Sequence, residues 1–258
     1  EVMLSGFANA QVKAEGQGVS FDTAQETYTA RYTHDTVALA FAITEEAIED
    51  NLYDRLASRY TKALARSMSN AKQVKAVTPL NNGLPSTDTF DSGDAVSLFS
   101  TNHTTVSGTA VKNTLTTQAD LNETSLEQAL IDIAGMTDER GLRVAARGMK
   151  MVIPSANQFN AERLMKSPGR TGTADNDINA VASMGMIPQG YRVNNFLTDT
   201  DSWYIITDVP NGMKMFQRAA LKTAMEGDFD TGNVRYKARE RYSFGVSDFR
   251  GIFGVEGA

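Results

Sequence analysis

The sequence predicts an α+β fold, and three observations carry this prediction. A long helix pattern covers residues 45–72, alternating strand patterns lie toward both ends of the chain, and strand and helix patterns follow one another in the middle. With 258 residues, the chain can bury a full hydrophobic core, either as one large domain or as two closely packed lobes.

Composition narrows the class of protein. The absence of cysteine excludes disulfides and thiolate metal sites, and two histidines, His34 and His103, cannot form a multi-histidine metal centre. The sequence shows no apolar run of about 18 residues and no charged-then-apolar leader, so we expect a soluble, non-secreted protein without a membrane partner. A net charge of −6 argues against a protein whose main role is to bind nucleic acid.

The first element is a hairpin within residues 8–43. Gly16 and Gly18 indicate a turn, and polar residues then alternate with Tyr28, Ala30 and Tyr32. Few apolar side chains are available there to anchor the strands in a core. The pattern predicts a mostly polar hairpin that protrudes into solvent or lies across another subunit.

The strongest helix pattern follows at residues 45–72. Thr44 can cap this helix, and Glu45 and Glu46 lie in its first turn, where the helix dipole favours acidic side chains. The helix would be about 42 Å long. Its apolar side chains form one narrow stripe, made of Ile48, Leu52, Leu56, Tyr60, Leu64 and Met68.

The middle of the chain predicts a second lobe. A loop from Thr78 to Gly108, rich in Pro, Gly, Asn, Ser and Asp, marks the lobe boundary. A helix is expected at 124–139, followed by a buried strand in "MKMVIPS" and a short helix in "ANQFNAERLMK", an order that favours a mixed sheet. The inward face of the first helix would consist of Leu126, Leu130, Ile133 and Ala134. A long flexible loop is predicted over residues 167–190, and strands are expected in "YRVNNF", "SWYIITD", "MKMFQRA" and "FRGIFGVEG".

Residues 234–242 predict a strand with two unlike faces. One face carries Arg235, Lys237, Arg239 and Arg241, whereas the residues between them are mostly apolar. This basic face could be solvated, could bind nucleic acid, or could meet an acidic partner such as the start of the long helix on another copy of the chain. Nucleic-acid binding would favour aromatic side chains on the basic face, but both tyrosines of the stretch lie on the opposite one.

No motif for chemistry is complete. The stretch "GRTGT" at 169–173 lacks the lysine of a phosphate-binding loop, and "DNDIN" at 175–179 departs from a calcium loop at its sixth and twelfth positions. His103 lacks the context of a general base and is expected to be a hydrogen-bonded loop residue. The acidic pairs at 45–46 and 228–230 are explained by a helix start and a turn. The sequence therefore predicts no catalytic, cofactor-binding or metal-binding residue.

Three stretches resemble the major capsid proteins of tailed bacteriophages. The strand "VALAFAIT" with the acidic long helix resembles their strand and spine helix. The segment "AVSLFSTNHTTVSG" is similar to the one that follows the spine, with Leu98, Phe99 and His103 at recurring positions, although Thr104 replaces a frequent proline. The closing "VRYKARERYSFGVSDFRGIFG" resembles their carboxy-terminal strands, with an Asp-x-Arg-Gly turn at 248–251.

The resemblance implies the tailed-phage major capsid fold, which encapsulins and the floor of herpesvirus capsids share. That fold has an extended loop hairpin, a peripheral domain with a long spine helix and a long β-sheet, and an axial domain with a mixed central sheet and flanking helices. The expected division assigns residues 1–34 to the amino-terminal segment and extended loop, 35–78 with 218–258 to a discontinuous peripheral domain, and 79–217 to the axial domain.

The resemblance also implies a non-enzymatic function. Copies of the chain would assemble as hexamers and pentamers into the icosahedral shell of a phage head around double-stranded DNA, in the host cytoplasm and then in the virion. The expected partners are other copies, scaffolding, portal and decoration proteins, and double-stranded DNA contacted without sequence preference, with no cofactor.

Two other functions remain open from the sequence. An encapsulin-like compartment shell is the main alternative, and a mixed-sheet hydrolase or nucleotide-binding enzyme is disfavoured by the incomplete motifs. The candidate subunit-interface residues are Lys13, Gln25, Glu26, Arg31, Glu45, Glu46, Glu49, Arg235, Lys237, Arg239 and Arg241.

Overall fold

A computed structural model describes residues 1–50, 56–87, 90–170 and 177–258. The strands are β1 (Val2–Leu4), β2 (Glu26–Thr29), β3 (Asp35–Ile43), β4 (His103–Thr104), β5 (Ala110–Val111), β6 (Gly148–Ile153), β7 (Tyr191–Val193), β8 (Trp203–Thr207), β9 (Met213–Gly227), β10 (Val234–Val246) and β11 (Ile252–Val255). The helices are α1 (Glu45–Glu49), α2 (Leu56–Asn82), α3 (Glu123–Ala134), α4 (Gln158–Lys166) and α5 (Ala180–Met184). This mixture of helices and sheets confirms the predicted α+β class.

The chain divides into two compact units. The first comprises Glu1–Arg31, Pro79–Lys214 and Val246–Ala258, and the second comprises Tyr32–Thr78 and Met215–Gly245. The expected domains grouped 246–258 with 218–245, whereas the compact units group it with 79–214. The difference has a structural cause, because β11 pairs antiparallel with β8 in the first unit.

The first unit contains a four-stranded sheet with the order β11-β8-β6-β7. Strands β6 and β7 are parallel and the other pairs are antiparallel, so the predicted mixed sheet is confirmed. Trp203 and Tyr204 of β8 are fully buried in this unit. Helix α3 buries Leu126, Leu130 and Ile133 as predicted.

Two predicted elements of the first unit have different boundaries in the structure. Helix α3 ends at Ala134 instead of residue 139, because Gly135 is its C-cap, and Ala134 is exposed rather than inward. The loop predicted over 167–190 contains α5, whose start is capped by the Asn179 side chain and whose end is formed by Gly185 in the left-handed conformation. The stretches at 169–173 and 175–179 lie partly outside the described residues.

The amino-terminal hairpin is built differently from the prediction. Strands β1 and β2 pair antiparallel, with Val2 opposite Thr29 and Leu4 opposite Glu26, and no strand is present in the segment 5–25 between them. Strand β3 does not belong to this hairpin but pairs with β10 along its length. The predicted turn at Gly16 is present, with a φ of +78° that favours glycine.

The long helix pattern corresponds to α1 and α2. Thr44 caps α1 through its side chain, and α1 ends at Glu49 with Asp50 as its C-cap. Helix α2 continues to Asn82 rather than ending at residue 72, with Pro79 in its last turns, where the missing amide hydrogen removes one helical bond.

Tertiary contacts favour the longer helix. Leu80 is buried, and its carbonyl accepts a hydrogen bond of 3.2 Å from the Tyr204 hydroxyl in the first unit. Local composition indicated a loop at this point, because Pro and Asn are typical of residues that end a helix.

The second unit contains a three-stranded sheet with the order β3-β10-β9, and α2 packs on it. Of the four described side chains of the predicted apolar stripe, two are buried and two are exposed. Leu64 and Met68 are buried against Ala238, whereas Ile48 and Tyr60 are exposed. Leu52 and the Leu56 side chain lie outside the described part of the chain.

Candidate intersubunit surface

Strand β10 has the two unlike faces that its sequence predicts. The side chains of Arg235, Lys237 and Arg239 are exposed, whereas Ala238 and Tyr242 are buried. Because side chains alternate along a strand, the exposed set points away from the core. The fourth predicted member, Arg241, is half-buried rather than exposed.

The inner face of β10 packs against α2 and β3. The cluster of Leu64, Met68 and Ala238 is flanked by Val37 and Phe41 of β3. The Phe41 and Tyr236 rings stack with centroids 4.9 Å apart and planes 13° apart. Both tyrosines of the strand therefore contribute to the core side, which leaves the exposed side without aromatic rings for stacking on bases.

An ion pair with a buried carboxylate lies beneath this surface. The Glu240 side chain faces inward, and its carboxylate is 3.1 Å from the Lys72 ammonium of α2. The same ammonium lies 5.1 Å from the centre of the Tyr242 ring. A buried carboxylate needs such a partner, so Glu240 belongs to the packing of the unit and not to its exposed surface.

Alanines of β3 lie beside the exposed cations. The antiparallel register places Ala42 opposite Arg235, Ala40 opposite Lys237 and Ala38 opposite Arg239, and all three alanines are exposed. We call this surface the basic face, and it consists of Arg235, Lys237, Arg239, Ala38, Ala40 and Ala42. These alanines are not among the predicted interface residues, although they alternate with larger apolar residues in "DTVALAFAI".

One cation of the basic face has an acidic partner in the same chain. Arg235 forms an ion pair with Asp228, which precedes the β9–β10 turn. A hydrogen bond from Thr231, together with the charge of Arg235, lowers the pKa of Asp228 below its ordinary value. Among the described residues, neither Lys237 nor Arg239 has an ion-pair partner.

A cavity of about 340 Å³ lies between β9 and the basic face. It is lined by Ala40, Ala224, Glu226, Gly227, Asp228, Arg235, Tyr236 and Lys237. Both charge signs are present in this lining, so it is not a dedicated anion pocket.

Helix α1 exposes four carboxylates within six residues. We call Glu45, Glu46, Glu49 and Asp50 the acidic turn, and all four are exposed. Among the described residues, none of them forms an ion pair. Glu45 packs beside Gly232, where a Cβ atom would overlap its carboxylate, so a larger residue at 232 would displace Glu45.

The hairpin carries the remaining interface candidates. Lys13, Gln25, Glu26 and Arg31 are exposed and lie in the first unit, whereas the acidic turn and the basic face lie in the second. Between β1 and β2, the mostly polar hairpin also exposes four large apolar side chains. These are Phe7, Val12, Val19 and Phe21.

The hairpin is held together mainly by its own polar contacts. The Ser5 amide donates to the Gln25 carbonyl at 2.8 Å, and the Ala8 amide donates to the Asp22 carboxylate at 2.7 Å. The hydrogen bonds from the Ala8 and Thr23 amides lower the pKa of Asp22. Arg140 also contacts this segment through the Thr23 carbonyl.

His103 lies in a buried polar cluster of the first unit. Its Nδ1 is 2.7 Å from the Asp94 carboxylate and its Nε2 is 3.1 Å from the Asn113 side-chain oxygen. The Asn113 amide group donates to the carbonyls of Leu98 and Phe249, which directs its oxygen toward His103. The two ring nitrogens of His103 therefore lie within hydrogen-bonding distance of a carboxylate oxygen and of an amide oxygen.

The neighbouring charges of this cluster also have partners. Burial raises the pKa of Asp94, but hydrogen bonds from His103 and Ser92 outweigh it and leave that pKa below its ordinary value. Arg250 lies 2.7 Å from Glu139 and 3.3 Å from Asp248, and its Nε donates to the Thr137 carbonyl. The prediction that His103 is hydrogen-bonded is confirmed, but the residue lies in β4 rather than in a loop. Asp248 is the N-cap of the predicted Asp-x-Arg-Gly turn.

The described residues were compared with the requirements of a metal site and of a membrane-spanning helix. Within them, no group of three or more His, Cys, Asp and Glu side chains could hold a metal ion. No helix in the described ranges is long and apolar enough to cross a bilayer.

Comparisons with known proteins identify the family of the chain and show solved structures with a similar fold. A family model described as phage capsid protein matches residues 27–255. The capsid of Myoviridae phage XM1 has a similar fold, with a TM-score of 0.56 and 12% identity, over 100% of this chain and 85% of that chain. The capsid of an empty gene transfer agent particle is similar at a TM-score of 0.56 and 13% identity, over 100% and 84%. A structure from Gordonia phage Cozz is similar at 0.54 and 13%, over 100% and 80%. No curated protein sequence matches the chain.

Proposed function

Because the chain belongs to the phage capsid protein family and is a major capsid protein that forms a phage head shell, we propose that its copies assemble as hexamers and pentamers into an icosahedral shell around double-stranded DNA. The assembled protein is then part of the virion. Assembly in the host cytoplasm, with scaffolding, portal and decoration proteins as further partners, completes the proposal.

The exposed hairpin is the observation that carries this proposal. Every residue from 6 to 26 is exposed, and Val12 and Phe21 are 99% and 98% exposed. Burying apolar surface is favourable by about 25 cal/mol per Å², so these side chains gain stability only when another surface covers them. A neighbouring copy supplies that surface in a closed shell.

The two compact units support separate roles in the shell. The second unit has the long sheet and most of the long helix, which are the features expected of a peripheral domain. The first unit has the mixed sheet with its flanking helices, which are the features expected of an axial domain around the capsomer axis. In this proposal the hairpin extends from the first unit to an adjacent copy, with Lys13, Gln25, Glu26 and Arg31 among its contacts.

Hydrogen exchange on free subunits and on shells of one preparation tests the hairpin. Residues 6–26 should exchange quickly in free subunits, because their backbone has few protected hydrogen bonds, and slowly in shells. Strand β8 is the internal control, since its buried residues should be protected in both samples. Equal protection of the hairpin in the two samples would contradict the proposal.

Substitution of the exposed apolar side chains tests the same contact through assembly. The variant Val12→Ser with Phe21→Ser should lose most of its shells, while the unfolding midpoint of the free subunit stays close to that of the wild type. Gln17→Ser, in the same hairpin, is the matched control and should assemble normally. If the double variant forms normal shells, these apolar side chains of the hairpin do not contribute to assembly.

The content of purified shells tests the DNA part of the proposal. Nuclease-protected DNA in shells from infected cells is the expected result, and protein cargo without nucleic acid would favour an encapsulin-like compartment. Free subunits, with a net charge of −6, should bind duplex DNA weakly and lose that binding as salt rises.

A further inference from the structure

We propose that the basic face of one copy binds the acidic turn of a second copy. This inference rests on the proposed assembly and adds a specific contact to it: Lys237 and Arg239 on β10, with the alanines of β3, against Glu45, Glu46 and Glu49 on α1. The partner is therefore a second copy of this chain, recognised through carboxylates on a helix.

The alanines make close approach to the basic face sterically easy. Alanine is depleted in strands, and an exposed strand that met only water would favour Thr or β-branched residues instead. Three exposed alanines alternate along β3, which is an edge strand of its sheet. Their short side chains leave room for a helix above the strand, with the longer Lys and Arg side chains beside it.

The cations of the basic face have charge to offer a partner. Of the three exposed cations, Arg235 is paired with Asp228, while Lys237 and Arg239 have no ion-pair partner in the described part of the chain. On the opposite side of the proposed contact, the four carboxylates of the acidic turn are also unpaired among the described residues. Each surface therefore carries the charge that the other lacks.

The spacing of the two surfaces matches. Residues on one face of a strand, such as Lys237 and Arg239, repeat about every 6.8 Å. Residues four apart on a helix, such as Glu45 and Glu49, are displaced by about 6 Å along its axis. Two carboxylates of one helix can therefore lie against two consecutive cations of one strand.

The overall charge of the chain makes such a contact useful. Copies with a net charge of −6 repel each other at long range, and this repulsion gives no preferred orientation. A basic surface that accepts the acidic turn favours one register and disfavours those in which like charges meet. Stacking on unpaired nucleic-acid bases is a weaker match, because the tyrosines of β10 lie on the inner face.

Charge reversal tests the inference on both sides of the contact. The variants Lys237→Glu with Arg239→Glu, and Glu45→Lys with Glu49→Lys, should each lower shell yield by about tenfold or more. Combining all four changes in one chain should restore shells. Lys62→Glu with Arg66→Glu, at exposed positions of α2, has the same charge change as Lys237→Glu with Arg239→Glu and is its control, which should assemble.

The outcomes separate this inference from the proposed function. If the wild type and both reversed variants all form shells, the inference is wrong but the proposed function stands. The same holds if combining all four changes does not restore the shell yield. The variant Lys237→Glu with Arg239→Glu could also form shells in normal yield that contain less DNA. That result would overturn the inference and would favour phosphate binding by these cations. A wild type that never forms shells would overturn the proposed function itself.

Disulfide trapping gives a second measurement that does not depend on finished shells. The chain has no cysteine, so Ala40→Cys and Ala47→Cys introduce the single thiols of two separate variants. When the two variants are mixed, the heterodisulfide that joins position 40 of one subunit to position 47 of another should form in clear excess over either homodisulfide. A statistical mixture of dimers would show that the two surfaces do not meet.

Discussion

The cluster around His103 and the basic face differ in where their charges find partners. In the cluster, partners come from within the chain: the Arg250 guanidinium pairs with Glu139, and the Asp94 carboxylate hydrogen-bonds to His103. On the basic face, Lys237 and Arg239 lie in solvent without an ion-pair partner among the described residues. Loss of one partner from a buried pair leaves the other charge buried and unpaired, which destabilises the subunit, whereas exposed and unsatisfied charges are available to a neighbour.

The largest test of this difference removes a buried charge. Arg250→Met should lower the free energy of unfolding by about 3–5 kcal/mol, because Glu139 and Asp248 would remain buried without their cation. Arg239→Met, the same change on the basic face, should leave it nearly unchanged. Denaturant unfolding measures the free energy of unfolding of both variants. Similar losses of this free energy would show that the buried and the exposed cation contribute equally to the stability of the subunit.

The support beneath the basic face should matter more than the face itself. Leu64→Ala should destabilise the second unit by about 2–4 kcal/mol, since Leu64 is buried against Met68 and Ala238. Lys62→Ala, two residues earlier and exposed, is the matched control. If Leu64→Ala unfolds at the wild-type denaturant concentration, α2 does not hold the sheet.

Acid should weaken the His103 cluster. The pKa of Asp94 is lowered in the folded chain, so its contribution is fully present above the ordinary value of 3.8 and is lost as the pH falls through the lowered folded-state value. At neutral pH, Asp94→Asn should cost about 2 kcal/mol, the scale of a hydrogen bond to a charged group.

The difference in stability between wild type and Asp94→Asn should shrink below pH 3.8. Asp91→Asn, at an exposed position nearby, controls for the loss of a carboxylate. A difference that stays constant down to the lowest pH at which both proteins fold would contradict the assignment of Asp94 as a charged partner.

The smallest expected effect is at the basic face of the free subunit. Lys237→Ala with Arg239→Ala should change the free energy of unfolding by less than about 0.5 kcal/mol, as is usual for exposed side chains. The same variant should assemble poorly. A large loss of subunit stability would show that these cations serve the fold rather than a neighbour.

Several features were predictable because they depend on neighbouring residues in the chain. The cap at Thr44 and the acids in the first turn of α1 follow from the unpaired amides and dipole of any helix start. The sequence predicted that His103 forms hydrogen bonds, but it did not predict with which residues. Its partners Asp94 and Asn113 come from separate loops that only folding brings together.

Other features could not be predicted from the sequence, because they depend on contacts between residues that are far apart in the chain. The burial of Leu80 accompanies the extension of α2 past Pro79, although local composition indicated a loop. The exposed alanines of β3 were visible as an alternation, but their importance depends on their register against β10. No local pattern states which strand will be the neighbour.

Which side chains share a face follows from the order of residues alone. Alternation along a strand is a property of the extended backbone, so the basic side of β10 could be identified before any partner strand was known. What each face meets became clear only in the folded chain: α2 lies on one side of β10, solvent lies on the other, and β8 is the partner of β11. This division arises because local geometry sets the direction of a side chain, whereas contacts between residues far apart in the chain select its partner.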